Sequence, residues 1–179
     1  SEGSFKATPV PGAVSLCFAA LKEYGTSSFE QVVAPSLALL DAGTEDWHDE
    51  LAVVLRKLVE TEHLASGTRE EKLQAARDRF YKGDIADQLV AFYEANGGFL
   101  RKADLAAHVT RIEDPVRISY RGYTVYKCGP WTQGPYLCQT LRLLEGFDIN
   151  AMEHLSADYI HLLAEALKLG LADRDAYYA

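Results

Sequence analysis

The side chains with the most chemical capacity in this chain fall into a few short constellations. Asp46-Trp47-His48-Asp49-Glu50 gathers three acids and one histidine in five positions, a composition that would suit a divalent metal. Consecutive helix residues point around the cylinder instead of converging, so the run reads as a solvated helix start whose acids suit the N-terminal end of the macrodipole. His154 with Asp158, and His161 with Glu165, lie four apart. At that spacing a carboxylate can orient an imidazole as a general base, and the same spacing gives ordinary helix-surface pairs. Asp104 and His108 stand in the same relation. His161 belongs to the apolar run His161-Leu-Leu-Ala-Glu-Ala166 and is expected to pack against a core.

The stretch Cys128-Gly-Pro-Trp-Thr-Gln-Gly-Pro135 is the strongest candidate for a functional loop. Glycine and proline after a strand expose backbone amides and bring Trp131 forward; the competing reading is a turn that caps the next helix. Cys17, Cys128 and Cys138 have neither metal-ligand spacing nor an even count, and are expected to be buried or half-buried thiols. Asn96-Gly-Gly98 follows a helix rather than a strand, the reverse of a nucleotide-binding context, and no serine-elbow motif is present. These residues assign no catalytic, substrate-binding or metal-binding role, and imply no cofactor. A metal enzyme built on the histidines is a remote third reading.

The elements that would carry these groups are mostly helical. An apolar stretch from Val14 to Tyr24 ends at Gly25, and Ser27-Ser-Phe-Glu30 reads as a capping box opening a helix through Leu40. Pro35 should kink or divide that helix. A third helix is expected from about Asp46 to His63, with Leu51, Val54, Leu55 and Leu58 on one face. Thr68-Arg-Glu-Glu71 is a second capping box, starting a helix that ends near Tyr81. Asp84 is expected to cap Ile85 to Ala95, which Asn96-Gly97-Gly98 stops.

Lys102 to His108 follows as a short helix. The only clear β signal is Val116 to Tyr120 and Tyr123 to Lys127, a hairpin about Arg121-Gly122. Helices from Gln133 or Pro135 to Leu144, and from Ser156 to about Tyr177, complete the chain; Gly170 is a candidate bend. The fold class is mostly α with a β-hairpin, an α+β chain expected to form one domain over residues 1–179.

Composition sets further limits. The chain has 179 residues, 48% of them hydrophobic, enough for a real core. Its formal charge of −8 comes from 26 acids against 18 bases. A dispersed acidic surface disfavours nucleic acid or an anionic membrane as the main partner, because both reward a basic face.

A further set of motifs resembles the γ-glutamyltransferase family. Asp114-Pro115, Tyr120-Arg-Gly-Tyr-Thr-Val125, Gly129-Pro-Trp-Thr-Gln-Gly134 and Leu143-Leu-Glu-Gly-Phe-Asp-Ile149 resemble that family's "EP…YRGY.V" hairpin, "PPP..GG" turn and "ILEGFDL" helix end. Val10-Pro-Gly-Ala-Val14, Tyr24-Gly25 and Val33-Ala-Pro-Ser-Leu37 precede them in the family's order. So do Phe80-Tyr-Lys-Gly-Asp-Ile-Ala86 with Asn96-Gly-Gly-Phe-Leu100 and Asp104-Leu105. Tyr159-Ile-His-Leu-Leu-Ala-Glu-Ala-Leu-Lys168 and Ala172-Asp-Arg-Asp175 follow them, while the stretch from Ala42 to Gln74 matches poorly.

The resemblance implies an N-terminal-nucleophile hydrolase of αββα sandwich architecture, to which this segment would contribute mainly outer helices and edge strands. It implies cleavage of γ-glutamyl or related amides through an acyl-threonine, with transfer to water or an amine. The family's catalytic threonine opens a small subunit downstream of the "ADRD" helix, in a "T.H.S..D" motif. Its carboxylate-binding arginine lies in an "RE" motif before the "VPG" segment. Neither context occurs here, and Thr110, Thr124 and Thr140 stand elsewhere.

The expectation is therefore a middle-to-late part of a large subunit, inactive alone, whose partner is the rest of its precursor. Apolar surface left uncovered would lead either to self-association or to a packed rearrangement. Thr132-Gln133-Gly134-Pro135 replaces the family's usual two serines and two glycines, which points to an acylase-like or amidase-like branch. The alternative is a non-catalytic helical binding module derived from that family.

Overall fold

The computed structural model describes residues 5–43 and 49–178. Its contacts gather into two compact units, one running to Arg111 and the other starting at Ile112.

In the first unit, helices α1 (Ala13–Tyr24), α2 (Phe29–Asp41), α3 (Asp49–Leu64), α4 (Arg69–Lys82), α5 (Asp84–Ala95) and α6 (Lys102–Ala107) follow one another. Residues 46–48 of the acidic run lie outside the described residues. The central helix is α4, which packs against α1, α3, α5 and α6. Its sequence explains this: Leu73, Ala76 and Phe80 recur at helical spacing, and with Tyr81 they form a buried stripe. Phe18 and Phe29 stack across α1 and α2 at 4.7 Å, and Leu58, Ile85, Leu100 and Leu105 complete the core. Each such side chain contributes about 1.5–3 kcal/mol through burial.

Three local expectations change. The capping box of α2 is Ser28 with Gln31, whose side chain and backbone exchange bonds with those of Ser28, not Ser27 with Glu30. The Glu30 carboxylate instead meets His63 Nε2 at 2.9 Å, and the Ser27 carbonyl accepts from Arg69 Nε. Pro35 does not divide α2, which is continuous from Phe29 to Asp41. Its ring is exposed, so the Gln31 carbonyl, which loses its i+4 donor, is left on the hydrated side. Asp84 is the first residue of α5 rather than its cap, a place taken by Gly83. Its carboxylate is held by Lys57 at 2.8 Å and Arg79 at 2.9 Å. The capping box of Thr68 and Glu71 forms as expected.

The second unit contains β1 (Val116–Tyr120), β2 (Tyr123–Lys127), α7 (Gly134–Leu144) and α8 (Ala157–Tyr177). The strands pair antiparallel with Ile118 opposite Val125. Arg121 and Gly122 both take positive φ, 48° and 84°, as the tight hairpin turn matching strand twist requires. A two-stranded hairpin is marginal by itself; here α7 lies against both strands.

Helices α7 and α8 pack on each other, and Gly170 permits their close approach. A Cβ there would lie 2.9 Å from both Thr140 Oγ1 and Tyr136 Cδ2. The described chain is thus mostly α with a β-hairpin. Several large apolar residues stand exposed, among them Leu39, Leu64, Phe99 and Leu169.

Candidate functional site

The loop from Cys128 to Pro135 turns back on itself. The Gly129 carbonyl accepts from the Thr132 N–H and from the Thr132 hydroxyl, each at 3.0 Å. The hydroxyl oxygen in turn accepts from the Gly134 N–H at 3.0 Å. Only glycine fits at position 134, because a Cβ would come within 1.9 Å of the Cys128 carbonyl oxygen. Two amides of the loop are therefore spent internally, and the loop's local task is to turn the chain into α7. Trp131 is 70% exposed, and its indole N–H donates to Glu113 at 2.8 Å.

A clasp ties the hairpin turn to the end of α7. The Arg121 N–H donates to Glu145 Oε1 at 2.8 Å, and its guanidinium donates to the Phe147 carbonyl at 2.6 Å. Arg142 donates to the Ser119 carbonyl at 3.1 Å and pairs with Glu145. The guanidinium of Arg121 also lies 5.6 Å from the centre of the Tyr120 ring. Arg121 keeps its positive φ, unusual for a residue with a side chain, while both its backbone and its side chain are held.

In the first unit, a cavity of about 460 Å³ is lined by Ser28, Glu30, Glu62, His63, Gly67, Arg69 and Lys72. Glu62 is 5% exposed. Its two oxygens accept from the Phe29 N–H at 2.7 Å and the Glu30 N–H at 3.0 Å, so α3 supplies the anion that the N-terminus of α2 attracts. Arg69 is committed to the carbonyls of Leu21, Gly25 and Ser27. The walls thus join loops and helix ends, and the charges that could recognise a ligand mostly satisfy the protein itself.

The same unit holds a buried polar network. The Tyr81 hydroxyl accepts from the Ser15 N–H at 2.9 Å and donates to the Pro11 carbonyl at 2.6 Å. Burial holds this phenol above its ordinary pKa. Arg77 lies over the Tyr81 ring and donates to Ser15 Oγ and to the His108 carbonyl. Thr110 donates to the same serine oxygen at 2.7 Å.

His63 meets Glu30, but among the described residues no hydrogen bond joins His108, His154 or His161 to the acid that spacing paired with it. Asp104 accepts from the Arg101 N–H at 2.8 Å, while His108 stacks on Tyr81 and its Nε2 is buried without a partner. His154 meets the Tyr159 ring, and no hydrogen bond joins it to Asp158 among the described residues. Glu165 pairs with Lys168 at 2.7 Å. His161 is exposed on α8, contrary to its expected place against the core, because the buried stripe of that helix runs through Ala166 and Gly170.

The cysteines also depart from expectation. Cys138 is buried, with its thiol pushed up by desolvation, but Cys17 and Cys128 are exposed. Cys17 follows exposed Leu16 on the outer side of α1, and Cys128 opens the loop after β2. No group of three metal-ligating side chains occurs among the described residues.

Comparison with known proteins bears on the motifs that the clasp joins. Residues 47–179 match the family model described as gamma-glutamyltranspeptidase. This chain belongs to the gamma-glutamyltranspeptidase family. The match begins inside the stretch where the motifs are thinnest, and it includes the hairpin, the clasp and both closing helices.

The chain is 34% identical to the acylase ACY 1 proenzyme of Pseudomonas sp. strain SE83, over 94% of its own length and 35% of the relative's. It is 31% identical to a glutathione hydrolase proenzyme of Pseudomonas sp. strain A14, over 99% and 35%. It therefore spans about a third of the length of these curated relatives. The crystal structure of Helicobacter pylori gamma-glutamyltranspeptidase superposes with a TM-score of 0.79 at 25% identity, covering 100% of this chain and 59% of that one. The helical fold with its hairpin is thus that of a gamma-glutamyltranspeptidase segment. Its curated family relatives are named as enzymes.

Proposed function

We propose that this chain is the middle-to-late part of the large subunit of an N-terminal-nucleophile hydrolase. The whole protein would cleave γ-glutamyl or related amides. A threonine hydroxyl at the start of the partner segment attacks the amide carbonyl while its own α-amino group takes the proton. That proton passes to the departing nitrogen, the amine leaves, an acyl-threonine remains, and water or a second amine then attacks the ester and restores the threonine. The family match over residues 47–179 carries this reading; the proenzyme names of the relatives support a partner made from the same precursor.

In this reading the chain contributes scaffold and none of the reacting groups. The surroundings of its threonines support that division. Thr110 donates its hydroxyl to Ser15, buried Thr140 donates to the Tyr136 carbonyl at 2.9 Å, and Thr124 stands within β2.

The test is the intact mass of the native polypeptide, with N-terminal sequencing of any chain that copurifies. A companion beginning with threonine supports the proposal. A native product of 179 residues would replace it with a non-catalytic binding module. Turnover of a γ-glutamyl anilide by the pure 179-residue chain, above a boiled control, would overturn the assignment of scaffold alone.

An acylase-like substrate is the second reading. It rests on Thr132-Gln133-Gly134-Pro135 in the turn before α7, together with the similarity to an acylase proenzyme. Assaying the processed full-length protein on a γ-glutamyl anilide and on a simple acyl amide separates the two: preference for the second substrate favours the acylase branch.

A further inference from the structure

We draw no further inference here: the strongest candidate, the exposed aromatic pair of Phe5 and Phe92 on the first unit, is an unpartnered apolar face, and nothing in the structure shows what covers it.

Discussion

The backbone N–H of Arg121 donates to the Glu145 carboxylate across 2.8 Å, joining the turn of the hairpin to the C-terminal cap of α7, 24 residues on. Two motifs that are separate along the chain, Tyr120-Arg-Gly-Tyr123 and Leu144-Glu-Gly-Phe147, are thus one structural device. The carboxylate also pairs with Arg142, so the bond and the ion pair share an anchor.

Glu145→Ala removes that anchor from a partly exposed site. The expected loss is about 1 kcal/mol of unfolding free energy, the net value of a hydrogen bond that water can partly replace. Glu145→Gln keeps an acceptor and should lose less. Urea unfolding of the three proteins checks this, and equal midpoints would mean that the other bonds of the clasp hold the turn unaided.

Glu62 is a stronger case because it is buried and both its oxygens serve the N-terminus of α2. Glu62→Ala leaves the Phe29 and Glu30 N–H groups without this acceptor and opens a gap between α2 and α3. Bonds to a charged group are worth about 1.5–3 kcal/mol each, and the two share one carboxylate, so a loss of about 3 kcal/mol is expected. Glu62→Gln should fall between alanine and the parent. Thermal unfolding followed by circular dichroism reads the order; a parent-like Glu62→Ala would show that solvent replaces the carboxylate fully.

Local elements were legible in the sequence where short-range physics decides them. The hairpin follows from β-branched and aromatic residues on either side of Arg121-Gly122, and the α4 capping box follows from Thr68 and Glu71. The α2 cap was displaced by one residue because Ser27 and Ser28 are alike locally; tertiary bonds from Arg69 and His63 distinguish their surroundings.

Longer-range roles were harder to read. Glu62 lies one helical turn beyond Leu58 on the apolar side of α3, a misplaced acid that periodicity could have marked. Nothing local says that the N-terminus of α2 would meet it. Charge spacing alone also failed to assign partners: Asp104 serves the Arg101 backbone, and Glu165 takes Lys168. The family motifs were legible in order, while the clasp that unites two of them needed three dimensions.

Asp84 makes stability pH-dependent. Arg79 and then Lys57 hold its carboxyl well below the usual carboxylate range. A folded-state pKa below the unfolded value means that the stabilisation is present above the unfolded value, about 3.9 for Asp, and is lost as pH falls through the folded one. Asp84→Asn should therefore be less stable than the parent at neutral pH, with the gap narrowing in acid. Urea midpoints from pH 7 down to pH 2 test the sign. A constant gap would remove Asp84 ionisation as its cause.

Gly170 sets two ordinary rules against each other. In a helix interior, glycine to alanine normally stabilises by about 1 kcal/mol, because alanine loses less backbone entropy. Here a Cβ would sit 2.9 Å from Thr140 Oγ1 and Tyr136 Cδ2, and Thr140 is buried on α7 with its hydroxyl bonded to the Tyr136 carbonyl. Relief requires α7 and α8 to move apart or the threonine to leave its bond, at about 1–3 kcal/mol for an overpacked site. Gly170→Ala should therefore destabilise despite its helix propensity. Adding Thr140→Ala should recover part of the loss relative to Thr140→Ala alone, giving a coupling energy of at least about 0.5 kcal/mol in a double-mutant cycle. A stabilised Gly170→Ala would show that the helices yield freely and that their closeness does not depend on glycine.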